Sequence, residues 1–406
     1  MSDNHYWLLP EGISEALPDA ASQLETLRRQ LLDLYTGWGY QLVMPPLVEF
    51  MDSLSTGTGE QLDLQTFKLT DQTSGRLMGV RADITPQVAR IDAHRMRVEH
   101  PNRLCYMGPV LRTRSNHANG GSRSPLQIGA ELFGHAGIDS DFEVISLAIE
   151  TLQHCTQNVQ GSGSKVILDL GHVGIFSELS SALGLNEAEQ EKLSDMLERK
   201  SIPDISDWIM EKGFSADHAN ILQRLPELNG SIEVLEEAND LFSGLGDNIK
   251  EILSYLRDLV ERLEQNFPSV DINIDCGELR GYAYHTGMMF QLYLPTLQRE
   301  VIRGGRYDGI GEAFGNARPA TGFSADLRLL NSITSLATIV KDKIFAPAVI
   351  DIELDRVVKE LRNEGHVVVR QLEQGGKNKN TTPQDLGCNQ EIVNSDGHWV
   401  VSKIDN

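Results

Sequence analysis

Residues 172–266 are helical in pattern almost throughout and rich in Glu and Leu, and strand-like segments stand on both sides of them. A chain of this kind cannot alternate strand and helix as a doubly wound sheet does. It must interrupt one sheet with a helical block. Before the block, residues 20–36 place Leu24, Leu27, Leu31 and Leu34 at helical spacing, residues 64–70 and 76–82 alternate as a hairpin, and residues 103–114 and 125–134 alternate as a second strand pair. After it, strands are expected at 270–275, 287–293 and 298–303, and a helix at about 322–335. Residues 348–371 then read as strand, helix, strand, with one more sheet element near 398–402. The expectation is an α+β fold: an antiparallel sheet flanked by helices, with a helical insertion and a small C-terminal α/β segment. The expected boundaries are 1–171 and 267–338 for the two parts of the core, 172–266 for the insertion, and 339–406 for the last domain.

Composition narrows the function classes. No apolar run reaches the roughly 18–20 residues that span a bilayer, and the start lacks the basic and apolar regions of a secretory signal. Cys105, Cys155, Cys276 and Cys388 lie far apart with no Cys-x-x-Cys spacing, which fits a reducing cytoplasm rather than a disulfide framework or a zinc site. His94, His117, His135 and His172 show no metal-ligand spacing, so neither metal nor cofactor is expected. The net charge of −22 argues against a nucleic-acid partner, because such binding draws on basic patches that release phosphate counterions.

Four segments carry chemistry. Gly304-Gly305-Arg306-Tyr307-Asp308-Gly309 offers close backbone approach and an aromatic wall, though by itself it reads equally well as a tight turn before a helix. Leu279 to Gly287 places Arg280 beside Tyr282, Tyr284 and His285, just ahead of a strand. Arg112 is followed after a loop by Gln127 and Glu131, which stand four apart on a strand and so point to one face. Alone, that pair is more often the exposed polar face of a hairpin. Asp83 and Thr85 stand at the head of a helix that Pro86 opens.

Together these segments resemble the histidyl-tRNA synthetases, a class II aminoacyl-tRNA synthetase family. The resemblance covers roughly residues 8–335. The Gly-Gly-Arg-Tyr-Asp-Gly hexapeptide is similar to one histidine-specific signature, and the Arg280 segment to the other, which reads Arg-Gly-Leu-Asp-Tyr-Tyr in the family. Val80 to Thr85 is similar to its Arg-Pro-Glu-Gly-Thr, and Arg112 with Gln127 and Glu131 to its motif 2. The opening, from Leu9-Pro10-Glu11-Gly12 to Pro46, resembles motif 1, which builds the class II dimer. The resemblance implies a histidine pocket in which Asp83, Thr85, Gln127 and Glu131 meet the ammonium end, Arg112 and Arg280 the carboxylate, and Tyr284 and Tyr307, with Tyr282 or His285, the imidazole.

The departures fall on the nucleotide half. Where the family carries Arg-x-Glu in motif 2, this chain has Arg112-Thr113-Arg114. Where motif 3 reads Gly-Leu-Glu-Arg-Leu, it has Asp326-Leu327-Arg328-Leu329-Leu330, which puts a carboxylate toward a triphosphate site and removes an arginine. Residues 340–406 are shorter than the family's anticodon-binding domain. The combination resembles the regulatory subunits of short-form ATP phosphoribosyltransferases of histidine biosynthesis. That resemblance implies a non-catalytic subunit that dimerises through motif 1 and joins four catalytic subunits in a hetero-octamer of four and four. It would activate them and transmit feedback inhibition by L-histidine, with no tRNA and no membrane as partner. The alternatives are a histidine-adenylating ligase paralogue, which intact motif 2 and 3 charges would favour, and a tRNA decoy, which the acidic composition disfavours.

Overall fold

The computed structural model describes residues 7–56, 60–114, 122–157, 165–279, 285–297, 299–315, 318–334, 342–372 and 381–404. It divides into two compact units, Met1–Leu336 and Ala337–Asn406.

The first unit opens with α1 (Pro18–Gly37), which buries Leu24, Leu27 and Leu31, as their spacing announced, and Tyr35, while Leu34 is only half-buried. There follow β1 (Gln41–Val43), β2 (Val48–Phe50), α2 (Met51–Leu54), α3 (Glu60–Gln65), β3 (Phe67–Thr70), β4 (Leu77–Val80) and α4 (Thr85–Ile91). Strands β2, β4 and β3 form a small separate sheet. Next come the long pair β5 (Asn102–Pro109) and β6 (Leu126–Phe133), then α5 (Ile138–Thr156) and β7 (Ile167–His172).

The helical block contains α6 (Val173–Leu183), α7 (Glu187–Glu198), α8 (Ile202–Lys212), α9 (Ala216–Arg224), β8 (Asn229–Gly230), α10 (Val234–Leu241) and α11 (Asp247–Asn266). It is packed into the same hydrophobic cluster as the sheet, through Phe176, Trp208, Phe242 and Leu256 among others. The chain returns to the sheet as β9 (Asp271–Asp275), β10 (Met288–Tyr293), β11 (Glu300–Arg306) and β12 (Ala320–Asp326), and α12 (Leu327–Ile333) follows.

The main sheet runs in the order β1-β5-β6-β12-β11-β10-β7-β9-β8. It is antiparallel except for the β1–β5 and β7–β9 pairs, which are parallel.

One expectation fails here. Residues 322–326 are not the first turns of a helix but part of β12 (Ala320–Asp326), the strand that joins β6 to β11. Phe323 and Ala325 point into the core while Gly322 and Ser324 point to the other face, a period of two that the following Leu327, Leu330 and Ile333 obscured in the sequence.

The two faces of the sheet differ sharply. One carries Ile128, Ala130, Phe323, Ile302, Phe290 and Leu170 into the main core. On the other, direct cross-strand partners place Glu131, Gly322, Gly305, Met289 and Gly171 in one row. The glycines in this row are floor for polar side chains. A Cβ on Gly322 would stand 1.6 Å from Glu131 Oε2, and one on Gly305 would stand 2.5 Å from His285 Cδ2.

The second unit is a four-stranded sheet, β14-β13-β15-β16, made of β13 (Lys343–Ala346), β14 (Val367–Arg370), β15 (Gln390–Ser395) and β16 (His398–Lys403). Helix α13 (Ile352–Asn363) buries Leu354 and Val358 against Ile344, Val368 and Ile392. Its N-terminus is capped by Asp351, whose carboxylate accepts from the Glu353 and Leu354 amides.

Candidate functional site

The polar face of β6 meets the N-terminus of α4. Gln127 and Glu131 stand on one face of the strand, as their spacing requires. The Gln127 side chain reaches the turn before α4. Its Oε1 accepts the Ile84 amide at 2.9 Å, and its Nε2 donates to Asp83 Oδ1 at 2.8 Å. The same Asp83 oxygen accepts the Thr85 amide at 3.0 Å, so Asp83 is held in place from both sides.

Glu131 lies deeper and is 1% exposed. Three hydroxyls surround its carboxyl: Thr85 at 2.9 Å, Tyr106 at 3.0 Å, and Tyr307 in a short contact. Thr85 and Tyr106 also bond each other at 2.9 Å. Burial pushes the Glu131 carboxyl up to about 8; the three hydroxyl bonds pull it down, and the neighbouring Asp83 charge raises it further.

Tyr106 was not foreseen. It stands on β5 opposite Gly129, and the missing side chain there lets its ring cross the strand to Glu131. A glycine inside the strand was the available signal.

Arg112 lies at the edge of this cluster, where its Nε donates to Ala82 O at 3.2 Å. Burial lowers its pKa, while Asp83 and Asp326 favour its charge. Together with Gln127, Glu300, Arg303, Asp326 and Leu329 it lines an adjoining cleft. Here Asp326 is the cap of α12. Its Oδ1 accepts the Arg328 amide at 3.0 Å and the Leu126 amide at 3.2 Å, and burial raises its pKa. The helix terminus that faces the cleft is therefore already occupied by a carboxylate of the chain itself.

The two halves of the hexapeptide diverge. Tyr307 turns toward Glu131. Arg306 turns away and is 7% exposed. Its Nε donates to Asp141 Oδ2 at 3.0 Å, its Nη2 to Ser140 Oγ at 2.8 Å, and its Nη1 to Asp308 Oδ1 and the His135 carbonyl, each at 3.1 Å. His285 stands over Gly305 on the polar face. Arg280, Tyr282 and Tyr284 lie outside the described residues. The structure thus brings together Asp83, Thr85, Gln127, Glu131 and Tyr307, adds Tyr106, and sets Arg112 at their edge.

Among the described residues no three His, Cys, Asp or Glu side chains gather as a metal site. The four cysteines are free and buried. No helix among the described residues is long and apolar enough to cross a membrane.

Comparison with known proteins gives this geometry a family. A model of histidyl-tRNA synthetase matches residues 12–330, and a model of the ATP phosphoribosyltransferase subunit HisZ C-terminal domain matches residues 341–402. The chain is 48% identical to an ATP phosphoribosyltransferase regulatory subunit from Thioalkalivibrio sulfidiphilus, over 100% of both chains. A crystal structure of an ATP phosphoribosyltransferase regulatory subunit/histidyl-tRNA synthetase from Bacillus halodurans superposes with a TM-score of 0.79 at 26% identity, covering 93% of this chain and 96% of that one. The fold is also shared with an ATP phosphoribosyltransferase HisG:HisZ complex from Thermotoga maritima, at TM-score 0.58 and 19% identity over 77% of this chain and 98% of that one. These matches cover the synthetase-like unit and the C-terminal unit alike, and the chain belongs to the family of ATP phosphoribosyltransferase regulatory subunits.

Proposed function

We propose that this chain is a non-catalytic, histidine-sensing subunit that activates a short-form ATP phosphoribosyltransferase and carries its feedback inhibition. One observation carries the reading. The pocket built by Asp83, Thr85, Gln127, Glu131 and Tyr307 is a continuous hydrogen-bonded set, while the cleft beside it has Asp326 on the helix terminus and Leu329 in its wall. A polyphosphate brought there would meet a carboxylate instead of open amide donors.

The depth of each side chain supports an assignment of the ligand's ends that moves Glu131 from the ammonium group, where the resemblance put it, to the ring. Asp83 and Gln127, near the mouth, receive the ammonium group. Arg112, aided by Arg280, receives the carboxylate as a guanidinium fork. The buried Glu131, with Tyr307 and the aromatic segment of Tyr282, Tyr284 and His285, receives the imidazole. A carboxyl that burial keeps largely protonated is a poor partner for an ammonium group and a good one for a ring nitrogen.

The assembly proposed is a cytoplasmic homodimer through the motif 1 segment, joined to catalytic subunits as four and four, with neither tRNA nor membrane as partner. Feedback then requires that histidine bind two assembly states unequally, by a coupling of about 1–3 kcal/mol.

The test follows histidine binding by calorimetry and histidine-driven ATP–pyrophosphate exchange on the same preparation. Binding without exchange is the expected result. Robust exchange would replace this reading with a histidine-adenylating ligase.

A further inference from the structure

The surroundings of Glu131 are unusual for a ligand-binding carboxylate. Among the described residues, three of the elements packed against it supply a hydroxyl and none supplies a cation: Thr85 comes from α4, Tyr106 from β5, and Tyr307 from just beyond β11, while β12 contributes only Gly322. The charged side chain that acts on it is Asp83, of like sign. Tyr40 senses Glu131 but bonds Glu143 instead, and His285 stands over Gly305, beyond Gly322 in the same row. Arg112 interacts with Asp83 at the mouth, and Arg81 is spent on the Pro45 and Pro109 carbonyls.

A fully buried anion without a cation is costly, and a buried cation facing it is equally costly without the anion. We infer that the Glu131 carboxyl and the effector's ring hold one proton between them, so that Glu131 selects a ring able to share a proton. The inference rests on the proposed histidine reading of this pocket. The pair is neutral overall as imidazole with carboxylic acid, or a compact ion pair as imidazolium with carboxylate. With no proton it leaves an uncompensated anion, and with two it leaves an uncompensated cation.

The proton balance fixes the pH dependence. Free imidazole titrates near 6.5, and the empty pocket's carboxyl near 8. Between these values a neutral ring meets a protonated carboxyl, and binding moves no proton to or from solvent. Above that window the carboxyl is ionised and binding must take up one proton. Below it the ring is already protonated and binding must release one. Affinity is therefore bell-shaped and falls about tenfold per pH unit on each limb. Tyr106 is a positioning residue in this scheme. Its hydroxyl favours the carboxylate form, so its removal displaces the alkaline limb to higher pH.

The experiment is calorimetric titration of the full chain with L-histidine, in two buffers of different ionisation enthalpy, at neutral pH and near pH 9. The expected result is no net proton at neutral pH and about one proton taken up near pH 9 beyond the uptake of Glu131→Gln, a comparison that cancels the ligand's own amino group. Tyr106→Phe should retain binding and shift the alkaline limb upward. Equal proton uptake by native chain and Glu131→Gln, or an alkaline limb unmoved by Tyr106→Phe, would overturn the shared proton. If Glu131→Gln binds no histidine, proton uptake by the native chain that does not rise between neutral pH and pH 9 would overturn it as well. A native chain that binds no histidine would instead overturn the reading of the pocket itself.

Discussion

The Tyr255 hydroxyl of α11 donates to Asp141 of α5 at 2.5 Å, and Asp141 in turn holds the buried guanidinium of Arg306 at 2.9–3.0 Å. One bond therefore joins the helical insertion to the strand that delivers Tyr307 to the pocket. Asp141→Ala would leave the buried Arg306 with only the more exposed Asp308 as counter-charge, and should cost up to about 3–5 kcal/mol of unfolding free energy. Tyr255→Phe removes only one charge-assisted bond and should cost about 1.5–3 kcal/mol. Urea unfolding monitored by circular dichroism separates the two values.

Gly322 makes room for Glu131, and a Cβ there would collide with the Glu131 carboxyl. Gly322→Ala should therefore weaken histidine binding by at least about tenfold, as expected when a well-placed polar contact is lost. Calorimetry checks it. Unchanged affinity would mean that Glu131 does not contact the ligand.

Asp326 accepts the Arg328 amide at the start of α12 and the Leu126 amide at the start of β6. Asp326→Ala should cost about 0.5–2 kcal/mol in stability through the lost cap. Histidine affinity should stay the same. The paired measurements are urea unfolding and histidine titration of the same variant.

Two buried groups set opposite slopes of stability with pH. Burial, aided by the Arg306 charge, lowers the His172 pKa from 6.5 to about 4. The folded state then binds fewer protons than the unfolded chain in this window, so stability falls as pH drops through it. His172 Nδ1 also accepts the Gly174 amide as the cap of α6. Asn at this position keeps an acceptor, so His172→Asn should flatten the acid limb without unseating the helix.

Glu131 works in the other sense. Its pKa rises from 4.5 to about 8 on folding, so the folded state binds more protons in that window and stability falls as pH rises. In the absence of histidine, Glu131→Gln should remove a slope of at most about 1.4 kcal/mol per pH unit. Thermal unfolding across both windows reads both effects.

Much of the site was legible because strand periodicity is unambiguous. Gln127 and Glu131 had to share a face, and Pro86 had to start a helix beside Asp83 and Thr85. The hexapeptide was legible as chemistry but not as geometry. Only the structure separates Arg306, which anchors α5, from Tyr307, which enters the pocket.

Tyr106 was hidden because its role depends on an empty position on the neighbouring strand, a relationship that no local pattern records. Residues 322–326 read as helix in the sequence because Gly322 and Ser324 weaken the alternation just before a leucine-rich helix. Asp326 was noticed as a charge that would repel phosphate. Its structural duty as a helix cap and as partner of Leu126 emerged only from the fold.

Reconstitution with a short-form ATP phosphoribosyltransferase tests the regulatory role in one experiment. This chain should raise the catalytic subunit's turnover, and L-histidine should inhibit the mixture. Replacing Asp83 with Ala should then abolish the inhibition while leaving the activation in place. Histidine inhibition that survives Asp83→Ala and Glu131→Gln unchanged, or activity indifferent to the presence of this chain, would contradict it.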